Sequence, residues 1–401
     1  MKNIRYSTIK GNSAGYLALL ALLGAIAGAG LVAAFMMEHY GHFITGMNQQ
    51  IVWGTPHVFA VFLIVAASGA LNTASIASVF GKTAYKPLAR LSGLLAIALL
   101  AGGLTILVLD LGRADRLIVA MTYYNFKSIF AWNIILYNGF FLLVAIYLWT
   151  MMDPTKTQYT KVAGFSAFVW RLILTTGTGS IFGFLVARLA YNEAIMAPLF
   201  IVMSFAFGLA ILILVTMAAC KWTGRPLGDA LLRRLKNLLG VFVAGTLLLL
   251  LAYHLTKLYI TQYHGVEAFI LLNGGVYTQL FWIGWMLLGS LVPLAILYHP
   301  SWGRNRSLIG FASVLVVLGG LAAMYVIIIG GQAYPLLIFP GKEVASSFSD
   351  GIINSYTPSL VEFVLGIGGM AVALIIVALA LKVLQFLPES LADEVVDPHH
   401  K

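Results

Sequence analysis

The sequence predicts an all-α, polytopic membrane protein of about ten transmembrane helices, with two four-helix bundles and flanking helices. Of its 401 residues 61% are hydrophobic and only 9% charged. The mean hydropathy is +0.94, which no ordinary water-soluble domain shows. Apolar runs of the roughly 20 residues that a bilayer-crossing helix needs recur along almost the whole chain. Residues 1–401 therefore read as a single integral membrane domain embedded in the lipid bilayer. The lone cysteine, Cys220, excludes a disulfide framework, a thiolate-ligated iron-sulfur cluster within the chain and a CxxCH haem attachment. There is no P-loop, HExxH or GxSxG. The net charge of +10 reports orientation in such a chain, not a nucleic-acid partner.

Breaks at charged and Pro/Gly clusters place the spans one after another. The first, residues 14–37, follows Lys2, Arg5 and Lys10 and is too long for a signal-peptide core, so it reads as a retained anchor. Next come residues 55–80, opened by Pro56, then 87–109, 129–151 and 162–190, which together make a first bundle over 55–190. Residues 196–220, 238–260, 277–298 and 308–330 make a second bundle over 196–330, and 359–386 form the last span. Residues 387–401 are left as a cytoplasmic tail whose acidic stretch, Glu389 to Asp397, reads as solvated. Gly24 and Gly28, four apart in the first span, and the pairs Gly102-Gly103 and Gly319-Gly320 read as packing positions.

Lysine and arginine set the orientation, because cytoplasmic loops carry their excess. Seventeen of the 24 fall in one set of alternating loops, six in the other, and Arg171 lies inside a span. Both termini are thus expected in the cytoplasm of a bacterial inner membrane. A faint parallel repeat relates spans two to five to spans six to nine. Arg90 leads the third span and Arg234 the seventh, and twenty residues beyond each stands Asp110 or His254.

Ionisable groups at membrane depth cost a few kcal/mol each and are functional candidates by default. In this topology His57, Asp110, Arg113, Asn125, Ser128, Arg188, Glu193, His254, Lys257 and Glu362 all lie toward the outer face, where a bundle can converge them on one pocket. Bland readings stand beside this one. Arg113, Arg188 and Lys257 lie near span ends, where long basic chains snorkel, and Asp110 has Arg113 as a local partner. Tyr137 and Trp132 can equally belong to packing or an interfacial belt. A sparser set, Arg171, Thr175, Thr178 and Ser180, points inward along the fifth span as a possible proton path. Its hydroxyls can instead bond their own helix, whereas a buried Arg171 needs a partner.

Leu109-Asp110-Leu111-Gly112-Arg113, followed by Tyr124-Asn125-Phe126-Lys127-Ser128 and Trp132, resembles the NrfD/PsrC family of quinone-interacting membrane subunits. The likeness runs over spans two to nine. Within the family it is nearest to the ten-span DsrP branch of Dsr-type sulfur-metabolism complexes, through Val52-Trp53-Gly54-Thr55-Pro56-His57-Val58-Phe59, Tyr123-Tyr124-Asn125-Phe126-Lys127-Ser128 and Thr176-Gly177-Thr178-Gly179-Ser180. The resemblance implies a quinone (menaquinone or ubiquinone) pocket near the outer face, and no haem or metal in this chain. It also implies a periplasmic ferredoxin-like iron-sulfur subunit beside that pocket, together with a c-type cytochrome and other membrane and cytoplasmic subunits. His57 and Asp110 match the family's pocket, Tyr137 its quinone-bonding tyrosine, and Asn125 and Ser128 its entrance.

Outer loops 38–50, 261–275 and 340–356 are long and rich in turn formers, as a docking surface for such a partner would be. A purely structural anchor for partner subunits would leave the cost of Asp110 unexplained, and two further rivals stand at this point. One is a haem b cytochrome with His57 and His254 as axial ligands. The other is a transporter with a buried polar pathway.

Overall fold

The computed structural model describes residues 4–336, 339, 342 and 351–396 and is almost wholly helical. Among the described residues ten long helices follow one another: α1 (Ala14–Tyr40), α2 (Thr55–Ser78), α3 (Ala89–Leu109), α4 (Ile129–Met152), α5 (Thr160–Gly183), α6 (Met196–Thr223), α7 (Asp229–Tyr259), α8 (Val276–Tyr298), α9 (Arg306–Ala333) and α10 (Leu360–Val383). Among the described residues all but α5 are both long and apolar enough to cross a bilayer. At 24 residues α5 has the length, but Arg171 and its run of Thr, Ser and Gly dilute its apolar character. It lies between α4 and α6 in the packing.

Local chemistry starts and stops these helices. Ser13 and Asn305 accept N-terminal backbone N–H groups of α1 and α9, Pro56 sits in the first turn of α2 where its missing N–H costs nothing, and a capping box of Ser359 and Glu362 opens α10. Two boundaries differ from the sequence reading by more than a few residues, and side chains from elsewhere cause both. The fifth span stops at Gly183, not at residue 190. Beyond it Lys257 donates to the carbonyls of Leu189 and Tyr191, and the Tyr253 hydroxyl takes that of Ala190 at 2.5 Å, so α7 holds acceptors that a continued helix would have used. Helix α7 begins nine residues before residue 238, because Asp393 caps it by accepting from the N–H groups of Asp229 and Ala230 at 3.2 and 2.9 Å.

Helix α2 forms the centre, with 89% of its most apolar stretch buried, against 22% for α1 and for α4. It crosses α6 backbone to backbone. A Cβ on Gly69 would stand 1.5 Å from the Ser204 carbonyl oxygen, and one on Gly208 would stand 2.0 Å from the Ala70 nitrogen. Helix α2 also breaks at Leu71. The hydroxyl of Ser92 on α3 donates to the Ala70 carbonyl at 2.6 Å and accepts from the Ala74 N–H at 3.1 Å, standing in for the helical bond between those two groups. At the edge, α1 lies along α10 with Gly30 against the Cα of Gly368. Gly24 and Gly28 face open space, so the Gly-xxx-Gly pattern is not what packs this helix.

The chain ends meet. Tyr6–Ser7 and Leu387–Pro388 pair antiparallel, and the Arg225 guanidinium reaches the carbonyls of Ser7, Thr8, Leu387 and Pro388 at 2.8–3.4 Å. The expectation of a solvated acidic tail is corrected over the described part of it. Leu387, Leu391 and Val396 are buried, and the tail is docked beneath α7, because its apolar residues fill the base of the bundle while Asp393 serves as a cap. Asp393→Ala should therefore cost about 1 kcal/mol, the usual value of an N-cap. A lower temperature for exposure of buried Cys220 to a thiol dye would show it.

Candidate functional site

At the end of the bundle opposite the termini, α3 stops at Asp110, which takes the C-cap position, and Gly112 turns the chain with φ +66°. The Asp110 carboxylate is drawn inward, its side chain 1% exposed. His57, in the first turn of α2, places Nδ1 2.9 Å from Asp110 Oδ2 and is 23% exposed. On the other side His42, in the short turn after α1, lies with Nε2 3.2 Å from the Asp110 carbonyl oxygen and 3.6 Å from Oδ1. A single buried carboxylate is thus flanked by two histidines. Trp53 stacks on the His57 ring with centroids 6.2 Å apart, and its indole also meets Phe130 and Phe182 edge-on, both at 6.0 Å. Along α4, Asn133 donates to the carbonyls of Ile129 and Gly177, and its own buried Oδ1 has no partner. One turn on, half-buried Tyr137 meets the side chain of Thr178 on α5.

The start of α2 is fixed from three sides. Gln332 of α9 accepts from the N–H groups of Val52 and Trp53 and donates to the Trp53 carbonyl at 2.9 Å. The Tyr356 hydroxyl accepts from the Thr55 N–H at 2.7 Å and donates to Glu362 Oε1 at 2.6 Å. Arg188 ties the carbonyls of Gln332 and Gln50 together. Buried Glu362 completes the clamp by accepting from the N–H groups of Gly46 and Ser359.

The polar residues expected at this end therefore do not meet in one pocket. His57 and Asp110 come together as expected, joined by His42. Arg113 does not pair with Asp110. It is largely exposed and bonded to Asp115 at 2.8 Å, because the left-handed turn at Gly112 carries the chain outward. Asn125 is exposed and accepts from the Lys127 N–H, while Ser128 is half-buried at the N-cap of α4. Glu362 and Arg188 serve the clamp.

His254 belongs to a second cluster between α6, α7, α8 and α9. Its Nδ1 lies 2.7 Å from Oε2 of buried Glu267, beside a cavity of about 30 Å³ walled by Met196, Leu250, Tyr253, Phe281 and Trp285. Such a volume has room for about one water. Half-buried Glu193 lies close enough to Lys257 to act on its charge. Loop 261–275 supplies Glu267 to this cluster, since its buried Val266 and Phe269 fold it onto the bundle, while Thr261, Gln262, His264 and Leu272 stay exposed. Of loop 340–356, residues 340, 341 and 343–350 lie outside the described residues.

Arg171 is buried, and among the described residues no carboxylate pairs with it. It donates to Asn72 Oδ1 at 2.7 Å and lies over the rings of Phe168 and Phe205. The hydroxyls of Thr175 and Ser68 stand 2.5 Å apart, and both reach the Arg171 carbonyl. Thr178 bonds back to Leu174, and Ser180 is buried on the same helix. Sequence reasoning missed His42, Asn133, Glu267, Gln332 and Tyr356, whereas Asn72 was among the inner polar residues of the second span that it singled out. Only Glu267, a carboxylate in an apolar stretch, carried a local signal.

The sequence of this site runs parallel to known proteins. Residues 44–335 match the family described as polysulphide reductase, NrfD. The chain belongs to the NrfD family. It is 30% identical to the Hdr-like menaquinol oxidoreductase integral membrane subunit of Archaeoglobus fulgidus, an alignment covering 98% of this chain and 99% of that one. It is 29% identical to a putative dimethyl sulfoxide reductase membrane subunit of Halobacterium salinarum, over 92% and 91% of the two chains. It is 23% identical to a selenate reductase subunit of Mesobacillus selenatarsenatis, over 90% and 92%. Composition had predicted an all-α, multi-pass membrane protein, and the Asp110–Arg113 and Tyr124–Ser128 elements had pointed to this family. The match begins at residue 44, so α1 and His42 stand ahead of the part that carries it.

Proposed function

We propose that this chain is the quinone-reactive membrane subunit of a respiratory or sulfur-metabolism oxidoreductase complex. The observation that carries the reading is the buried His57–Asp110 pair, 2.9 Å apart beneath the aromatic group of Trp53, Phe130 and Phe182. The menaquinol named for the Archaeoglobus relative makes menaquinone the first candidate and ubiquinone the second. Residues 55–190 and 196–330 read as two four-helix bundles, of which the first holds the site. The site faces the outer side of a bacterial inner membrane, with both termini cytoplasmic, and electrons cross to a periplasmic ferredoxin-like iron-sulfur subunit. A c-type cytochrome and further subunits complete a Dsr-type complex.

The residues fit such a ligand: an apolar aromatic wall, a titratable pair, and the unpartnered buried Oδ1 of Asn133, which can accept from a hydroxyl. When bound, a quinone supplies a couple of two electrons and two protons. The protein's share is to hold and move protons. Asp110 Oδ2, 2.9 Å from Nδ1 of His57, favours the tautomer with the proton on that nitrogen, which leaves Nε2 free to take a proton from a ligand hydroxyl, and it stabilises the imidazolium so formed. Tyr137 offers a second hydroxyl. Arg171, Thr175, Thr178 and Ser180 remain the candidate inner proton path.

The test is a visible spectrum of the purified protein, oxidised and dithionite-reduced, with its organic extract assayed for quinone in parent and His57→Gln forms. Quinone in the parent, its loss in His57→Gln and no haem band support the reading. A reduced b-type band that tracks with His57 and His254 would overturn it in favour of a cytochrome.

A further inference from the structure

We infer that His42 is the proton outlet of the His57–Asp110 pair, linking the buried carboxylate to water at the membrane surface. The inference rests on the quinone reading above and extends it to a residue outside the stretch that matches the family.

Asp110 has two carboxylate oxygens, and the structure uses them on opposite sides. Oδ2 faces Nδ1 of His57 at 2.9 Å, and Oδ1 faces Nε2 of His42 at 3.6 Å. His42 is the most exposed of the three side chains, at 33% against 23% for His57 and 1% for Asp110, and it alone lies in a turn outside the long helices and their caps. Helix α1 and its C-terminal turn, where Gly41 takes φ +85°, bring His42 there. Room for the ring comes from Gly112. A Cβ at that position would stand 3.1 Å from His42 Cε1 and 3.4 Å from Nδ1, and φ +66° there disfavours any side chain. The glycine of the Asp-Leu-Gly-Arg element thus both turns the chain and seats the imidazole.

The step balances. Oxidation of a quinol releases two protons and two electrons; the electrons pass singly to an iron-sulfur acceptor in a partner protein, and each proton follows the same route in turn, the imidazoles resetting their tautomers between the two. A proton taken up at Nε2 of His57 displaces the one at Nδ1 onto Oδ2 of Asp110. The carboxyl turns about its Cβ–Cγ bond to present that proton to His42, which receives it at Nε2 in the tautomer protonated at Nδ1, released from the Asp110 carbonyl, and gives its Nδ1 proton to water. The reverse sequence serves quinone reduction.

The charged groups around His42 are Asp110, Glu38 at the end of α1, His57 across the carboxylate, and Arg113, which faces Glu38. The hydrogen bond to Asp110 outweighs burial and holds His42 above the ordinary histidine value of 6.5. Because the folded value is the higher one, the stability this pair contributes is complete below pH 6.5. It is lost as pH rises through the raised value.

The experiment uses membranes holding the whole complex and follows quinol-dependent reduction of a soluble one-electron dye by the parent, His42→Gln and Gly112→Ala forms. His42→Gln should slow turnover by about a hundredfold, the low end for a positioned proton carrier, with KM for quinol unchanged and part of the rate restored by imidazole in the buffer. Gly112→Ala should lower the rate in the same way by displacing the ring. A second readout needs no turnover. Acylation of His42 by diethylpyrocarbonate, followed by mass spectrometry across pH, should show a midpoint above 6.5 in the parent that falls in Asp110→Asn. Full turnover in His42→Gln, a loss confined to KM, or the same acylation midpoint in Asp110→Asn would overturn the relay. If His57→Gln and Asp110→Asn also turn over normally, the quinone site itself fails. If those two are inactive while His42→Gln is not, only the outlet does.

Discussion

Asp110→Asn is expected to abolish quinol-linked turnover, by a factor on the order of a hundred to ten thousand, the span removed with a positioned general acid or base. The substitution keeps the side chain's shape and leaves the backbone bond from the Asp110 N–H to the Ile106 carbonyl in place, so α3 should still end where it does and the complex should still assemble. What it removes is the negative charge between two histidines, 2.9 and 3.6 Å away. An amide can present its NH2 to His57 and stabilise the wrong tautomer, and it cannot carry a proton onward. Quinol oxidation by membranes holding equal amounts of the complex is the measurement. Unchanged turnover with normal assembly would remove Asp110 from the mechanism. Failure to assemble would make the residue structural.

Gly69→Leu should be the most damaging single change in the scaffold, costing more than about 4 kcal/mol, the range reserved for gross steric or burial faults. The site where its Cβ would go lies 1.5 Å from a backbone oxygen of α6, which no rotamer change can relieve. In a bilayer helices associate through close van der Waals fit, since lipid is as apolar as leucine. Holding α2 away from α6 would therefore release the most deeply buried helix of the protein. Folded protein in the membrane fraction, read by size-exclusion of the detergent extract, should fall nearly to zero. Gly24→Leu supplies the control, since Gly24 has nothing within 4 Å, and should accumulate normally. Equal yields of the two variants would refute the close-crossing account.

The site was legible where chemistry and depth coincide in one short stretch. Asp110 is a short carboxylate at the end of an apolar run, and His57 stands one helical turn into another, so both are marked by the cost of placing them there. Arg113 was drawn in by the same logic and belongs elsewhere, because a single left-handed glycine between it and Asp110 sends the two side chains apart. His42 was invisible for the opposite reason. It lies in a polar turn where a histidine costs nothing, and only the packing of α1 on α10 brings it to the carboxylate. Glu362 looked like a pocket residue and is instead a clamp, since its partners Tyr356, Gly46 and Ser359 come from loops whose paths hydropathy does not encode.

What the sequence determined by itself was the class of protein, the order of the helices and the alternation of basic loops. All of these follow from one-dimensional quantities, hydrophobic length and charge, that the bilayer reads segment by segment. Tertiary structure alone decided the break of α2 at Leu71, where a serine from α3 enters the backbone ladder. It also decided the end of α5 at Gly183, the docking of the tail under α7, and the division of the polar residues into a His57–Asp110–His42 group and a His254–Glu267 group. In each of these a side chain satisfies a backbone group or a charge far away in sequence. In a low-dielectric interior such pairings outweigh local preference, because an unmet polar group costs more than a changed helix end.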